Sequence, residues 1–339
     1  MRGWAAAIVV LAVSCNAVPS RPATPALQAP QARSFAAMAY DQKHERTLLY
    51  GGWPTRGIPY FDTWAWNGKH WADQHPATNP RLWSPAMTYD PARQEIVLVG
   101  TTVATGGEVD GVASQTWTWD GVNWRQAHPP TSPNARHRAH LVYDSALKEV
   151  IMFGGSGFKL EAFPDTWAWN GSDWHQLSGS IPGLPDGGVL GAAAYDPAID
   201  RVVLSNSFAY SGAMDSAMWL FDGTSWIQQP RVADALPTDS FSMIYDPSVQ
   251  KLLLFGGEDS RNMATAVGRK LNSDIWLGDG HHWQLQSATS GPRARMETAM
   301  AYQGDGKVLI FGGLGNIGAT DVTLGDTWSW DGISWTSHH

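Results

Sequence analysis

The chain of 339 residues holds a single cysteine, Cys15. One thiol cannot build a disulfide framework, and its place near the N-terminus leaves the body of the protein without a cysteine nucleophile. Runs of Lys and Arg are missing too. With a net charge of −8 and a pI near 5.7, the chain is a poor partner for nucleic acid. No apolar stretch reaches the ~18–20 residues that a membrane-crossing helix needs. Helical periodicity is absent from the apolar pattern, and no G-x-S-x-G elbow occurs.

Tryptophan, by contrast, is abundant: there are 19. Most fall in one phrase, written DTWAWNGKHW at 62–71, DTWAWNGSDW at 165–174 and DTWSWDGISW at 326–335. Six Trp pairs follow this spacing, at 64/71, 117/124, 167/174, 219/226, 276/283 and 328/335. An Asn-Gly or Asp-Gly dipeptide lies between the members of each pair. Such dipeptides accept the positive φ of a type I′ turn, so each phrase is expected to be a tight β-hairpin. Upstream of each hairpin stands a second phrase, an apolar run ending in Tyr, a polar turn, and another apolar run. LVYDSALKEVIMFGG at 141–155 is one example. These add two strands, giving a four-stranded unit, a-b-c-d, that recurs about every fifty residues. Tyr40, Tyr89, Tyr143, Tyr195, Tyr245 and Tyr302 mark its six copies.

Gly-Gly closing strand b, an aromatic residue in strand c and a Trp in each hairpin resemble the kelch repeat over roughly 33–337. Trp replaces the Tyr usual in strand c. The resemblance implies an all-β, six-bladed β-propeller of four-stranded antiparallel blades, with strand a innermost. Sixteen of the tryptophans are then expected between blades, where each buries ~150–250 Å². That burial is worth on the order of 4–6 kcal/mol as an upper estimate.

The residue two before the first Trp is Asp62, Gln115, Asp165, Ala217, Asp274 and Asp326 in turn. The two units lacking Asp are the two lacking Gly-Gly, which suggests that the glycine N–H groups bond this carboxylate. The repeats are in phase, so ring closure should rest on packing between blades one and six rather than on a shared strand.

Residues 1–14 have the charged start and short apolar core of an export signal. Followed by Cys15, they resemble a bacterial lipoprotein leader. The expectation is a lipid on Cys15, a Pro/Ala-rich tether over 15–32, and a propeller over 33–339 in the cell envelope, as a monomer whose membrane contact is that lipid alone.

Strand direction puts the b–c loops and d–a connections on one face, where the longer and more variable segments gather. Candidate ligand-binding residues on that rim are Trp53, Arg56, Trp83, Arg136, His137, Arg138, Glu258, Arg261 and Arg295. Arg forks match carboxylates, and indoles stack on sugars. A competing role for Arg33, Arg81, Arg136 and Arg295 is to cap neighbouring blades by binding loop carbonyls. His137 and His140 point to opposite faces of a strand, so no metal site is expected, nor any other cofactor.

Kelch-like propellers include binding modules and enzymes, so the fold alone leaves function open. The copper oxidase branch, with its Cys-crosslinked tyrosine, is excluded because Cys15 lies in the leader. No catalytic constellation stands out. The expectation is therefore a non-enzymatic, envelope-anchored module for a protein or carbohydrate ligand, with a sugar-active propeller resembling sialic-acid mutarotases as the alternative.

Overall fold

Each Trp phrase forms strands c and d of a four-stranded antiparallel sheet, and each Tyr phrase forms strands a and b. Blade one shows the pattern, with strands Ala37–Asp41, Arg46–Gly52, Tyr60–Trp66 and Trp71–Asp73 paired in chain order. Blades two to six repeat it from strands a at Leu82–Asp90, His140–Asp144, Ala192–Asp196, Ser242–Asp246 and Ala299–Tyr302. The computed structural model describes residues 29–103, 109–157, 161–181, 191–206, 217–230, 236, 239–259, 270–286, 290–318 and 320–338. No helix occurs among them. The export signal and Cys15 lie outside the described residues, as does most of the tether.

The six strands a contact one another in cyclic order, the last returning to the first, and so they enclose a central channel. Each blade is one continuous stretch of chain. The sheet starting at Ala37 and the sheet ending at His338 share no strand, and they meet by packing, as the phase of the repeats implies.

The core is divided into six clusters, one per blade interface. In every one, strand b and the Trp hairpin of a blade pack on the strands of the blade before it. Trp117, Trp119 and Trp124 meet Ala37, Leu48, Tyr50 and Ala65, while Trp64, Trp66 and Trp71 meet Ala299, Ala301, Leu309 and Phe311. Strand b is almost fully buried because it has a neighbouring blade on both faces.

A polar device recurs within this apolar packing. The second Trp of a blade gives its indole N–H to a Thr hydroxyl of the preceding blade. The four bonds are Trp71 to Thr327 at 2.9 Å, Trp124 to Thr63 at 2.9 Å, Trp174 to Thr116 at 2.8 Å and Trp226 to Thr166 at 2.9 Å. Blade four has Met218 at this place, and the buried indole N–H of Trp283 in blade five has no partner among the described residues.

The hairpin turn differs from the sequence expectation. Trp66 pairs with Trp71, so four residues form the loop, and only Gly68 takes positive φ, at 90°. Asn67 stays outside that region because its side chain closes the loop, accepting from the N–H of Lys69 and of His70 at 3.0 Å each. Asp120, Asn170, Asp222, Asp279 and Asp331 do the same. The Asx side chain thus replaces the second positive-φ residue of a type I′ turn.

The partner of the strand-c Asp is also corrected. Asp165 takes a two-pronged bond from Arg136, at 2.6 and 3.0 Å, and a third bond from the Trp167 indole at 2.6 Å. Asp62 receives Arg33 and Trp64 in the same way, and Asp326 receives Arg295 and Trp328. The glycine pair contributes a carbonyl instead: Gly154 to Arg136, Gly51 to Arg33 and Gly312 to Arg295. Gly312 directs its N–H to the backbone carbonyl of Asp326, not to the carboxylate. Its own requirement is steric, since a Cβ there would stand 2.4 Å from the Arg33 carbonyl of the next blade.

Candidate functional site

Two residues before Ala37, and before its equivalent in strand a of each other repeat, stands a position that in blade two falls inside the longer strand Leu82–Asp90 and that in the described blades borders the channel mouth on the b–c loop face. These positions are Phe35, Ser84, Arg138, Leu190, Ser240 and Glu297, of which Leu190 lies outside the described residues. The other five are left-handed, with φ between 46° and 58°. Such a backbone costs energy in a residue with a side chain. Here it lets the ring of residues bond from blade to blade. Glu297 N–H donates to the Ser240 carbonyl at 3.0 Å, Phe35 N–H to the Glu297 carbonyl at 3.3 Å, and Arg138 N–H to the Ser84 hydroxyl at 2.9 Å.

The side chains of this ring border a cavity of about 180 Å³, completed by His140, Ser242 and Thr298. Arg138 and Glu297 stand in blades three and six, diametrically opposite in a six-membered ring. The Arg138 guanidinium carbon lies 5.5 Å from the centre of the Phe35 ring, and its charge reaches both Glu297 and Asp239. The Ser240 hydroxyl donates to Asp239 at 2.7 Å. Asp239 also pairs by backbone with Glu258, which brings a third carboxylate to the same corner.

Electrostatics sets these carboxyls apart. Burial, reinforced by the charges of Asp239 and Glu258, pushes Glu297 up to about 7 against the pull of Arg138 and Ser240. Burial likewise lifts Asp239 to about 6, helped by Glu258 and opposed by Ser240 and Arg138. His140 moves the other way, to about 4, because burial disfavours its cation. Its Nε2 is enclosed and has no hydrogen-bond partner among the described residues. Near neutral pH the described residues of the mouth therefore include the Arg138 cation, a neutral imidazole at His140, and Asp239 and Glu297 as carboxyls able to exchange protons.

Of the sequence candidates, Arg138 lines this cavity. Trp53 and Trp83 approach with ring centres 5.9 Å apart, and Trp83 stacks on His137 at 6.1 Å and 14°. His137 Nε2 also bonds the Ser156 hydroxyl at 3.0 Å, and burial foremost keeps its pKa below the ordinary value. These three side chains are half-buried and cross the rim of blades one to three. Glu258 is buried at the acidic corner. Arg56 is exposed on the b–c loop of blade one, and Arg261 lies outside the described residues.

Arg136 and Arg295 are placed elsewhere than expected. They are 1% and 0% exposed, and all their reach is spent inside the blade, as Arg33 spends its own. Arg136 bonds Asp165 and the carbonyls of Gly154 and Asn134, and it stacks on Phe163 at 4.3 Å. Both arginines bind loop carbonyls as the capping role expects, but within their own blade rather than a neighbouring one. Arg81 stacks on Phe61 at 4.7 Å instead.

Asp239 and Glu297 are legible in the sequence as polar residues near strand-a starts on this face, though not as ligand-binding candidates. The available signal was positional, since both fall beside the start of a strand a, in register with Arg138.

Neither a family model nor a curated protein matches the chain. Among solved structures, one titled "Structure of YjhT" is similar with a TM-score of 0.65 at 13% identity, over 93% of this chain and 99% of that one. At such identity the likeness shows the fold, a six-bladed propeller, and nothing of the site.

Proposed function

We propose that the protein is a ligand-binding β-propeller that takes a small polar ligand, carbohydrate in class, at the loop-face mouth of its channel. The observation that carries this reading is the juxtaposition of Arg138, Ser240 and Glu297 around a cavity of about 180 Å³, with the buried Asp239 held behind Ser240. A space of that size suits a monosaccharide rather than a folded partner. Arg138 anchors the ligand through a carboxylate or hydroxyl, Ser240 and Glu297 bond further hydroxyls, and Trp53 and Trp83 offer stacking faces at the rim. The kelch-like repeats and the leader ending at Cys15 extend the proposal to a module tethered in a bacterial envelope.

The test is a thermal-shift screen of protein lacking residues 1–14 against acidic and neutral sugars. A stabilising sugar whose effect disappears in Arg138→Ala supports the site. A screen in which no sugar stabilises the protein, or one whose effect survives Arg138→Ala, removes it.

One observation favours a second, catalytic reading. Two neighbouring carboxyls at about 6 and about 7 can exist as one carboxylate and one acid near pH 6.5. On a reducing sugar, Ser240 would take the anomeric hydroxyl proton while passing its own to Asp239, as Glu297 protonates the ring oxygen. The ring C–O bond breaks, and reclosure on either face exchanges the anomers. Anomer exchange followed by NMR decides it: a bell-shaped pH profile lost in Glu297→Gln supports catalysis, and exchange at the solvent rate excludes it.

A further inference from the structure

The other end of the channel, on the side of the a–b turns, is built quite differently. A cavity of about 380 Å³ opens there, and every blade contributes a tyrosine to its lining: Tyr40, Tyr89, Tyr143, Tyr195, Tyr245 and Tyr302. Above them Met38, Met87, Met243 and Met300 line the same space with soft apolar surface. Some of the hydroxyls tie the strands to the turns, Tyr195 accepting from Ser145 and donating to Asp200 and Tyr302 accepting from the Gly306 N–H, while all six rings border the cavity.

Behind the tyrosines runs a ring of charge. In five blades the residue after Tyr is Asp: Asp41, Asp90, Asp144, Asp196 and Asp246, none more than 3% exposed. These carboxylates close the a–b turns, as when Asp144 accepts from the N–H of Ala146 and Leu147. Asp246 keeps its buried Oδ2 without a partner among the described residues. The field of these groups is felt by the phenols. Burial comes first in raising Tyr143 and Tyr245, and Asp90 with Asp144, or Asp196 with Asp246, raises them further. Arg93 opposes this at Tyr143, but it is itself paired with Asp90 at 2.7 Å. Across the six turns carboxylates outnumber Lys and Arg.

An aromatic annulus backed by buried carboxylates attracts a cation that is large and weakly hydrated. A metal ion would demand oxygen ligands converging on one point, and no group of such ligands exists among the described residues. A small inorganic cation would keep its water. We propose that the turn-side end of the channel is a second ligand site, which takes an organic cation of the quaternary-ammonium class by cation–π contact with the tyrosine ring.

The experiment is isothermal titration of the protein with choline chloride and with 3,3-dimethylbutan-1-ol, its neutral isostere, at fixed ionic strength. Choline should bind at least about tenfold more tightly, as an extra contact of about 1.4 kcal/mol implies. Tyr143→Leu and Tyr245→Leu should each weaken choline severalfold, and the Phe replacements should retain binding because the π face remains. Arg138→Ala, at the opposite end, should leave choline untouched. Equal binding of the two probes, absence of choline binding, a loss in the Phe variants as large as in the Leu variants, or loss in Arg138→Ala overturns the proposal. The first two outcomes need no variant, so misfolding of a Leu substitution does not obscure the result. A flotation arm with phosphatidylcholine vesicles identifies the source. Choline binding without flotation assigns a free solute, and flotation that is lost in Tyr143→Leu assigns the same site to a lipid headgroup.

Discussion

In blade three the Trp167 indole gives its N–H to Asp165, and Asp165 in turn neutralises the buried Arg136. In blade four the corresponding residues are Trp219 and Ala217, and the buried Trp219 N–H has no partner among the described residues. Yet both blades are sheets of four strands, and they bury similar apolar faces against each other. The apolar interface is therefore sufficient to form a blade. The Arg–Asp–Trp latch is an addition that fixes the entry of the chain and the b–c loop in blades one, three and six.

Turning blade three into a copy of blade four should have the largest effect. Asp165→Ala leaves Arg136 buried with its charge unpaired, and about 3 kcal/mol of stability should be lost by urea unfolding. A loss below about 1 kcal/mol would mean that the latch contributes little. The pH dependence should change as well. Burial alone would raise Asp165, but the bonds and charge of Arg136 outweigh it and hold the folded carboxyl below its ordinary value. Its contribution is thus complete above the unfolded pKa near 4 and is lost as pH falls through the folded pKa, so the variant should show a flatter acid limb.

The mouth offers the next contrast, because blade six places Glu297 where blades two and five place Ser84 and Ser240. A carboxyl raised to about 7 in the folded state costs stability as pH climbs from the ordinary value near 4.5 to 7. Glu297→Gln should therefore stabilise the protein at pH 8 by about 2 kcal/mol, allowing for partial exposure, and should leave it unchanged at pH 4. Thermal melts at the two pH values check the sign.

A smaller loss is expected of Thr166→Val, which takes the hydroxyl from Trp226 and orphans a buried donor, for about 1–2 kcal/mol. The smallest change runs in the opposite direction. Gln115 accepts from Trp117 at 3.1 Å without any arginine, so Ala217→Gln should supply Trp219 with the same partner and add about 0.5–1 kcal/mol. A melting temperature unchanged by that substitution would leave the orphaned indole without consequence.

Much of this architecture could be read from the residues, because repeats turn a long-range problem into a local one. The spacing of Trp64 and Trp71, copied six times, gave the hairpins, the blade count and the buried indole faces. What escaped was geometry off the strand pattern. The co-occurrence of Asp165 with Gly154-Gly155 was visible, but its cause was not. The connecting atom belongs to Arg136, 29 residues before the Asp, and residue order carries no measure of burial to tell that arginine from exposed Arg138 two positions later. The hairpin loop was misread for a related reason: the Asn67 side chain supplies the bonds that a type I′ backbone would otherwise make. The acidic corner stayed hidden because Asp239 and Glu297, 58 positions apart, meet only once two blades stand side by side.

Each blade is drawn from one unbroken stretch of chain, and this has a consequence for gene rearrangement. The junction between blades six and one carries the same fittings as its neighbours, with Trp71 on Thr327 and the Gly313 N–H on the Arg33 carbonyl. A circularly permuted version, reopened at any d–a connection, would keep all six sheets whole, and duplicating one repeat would insert a sheet without cutting another.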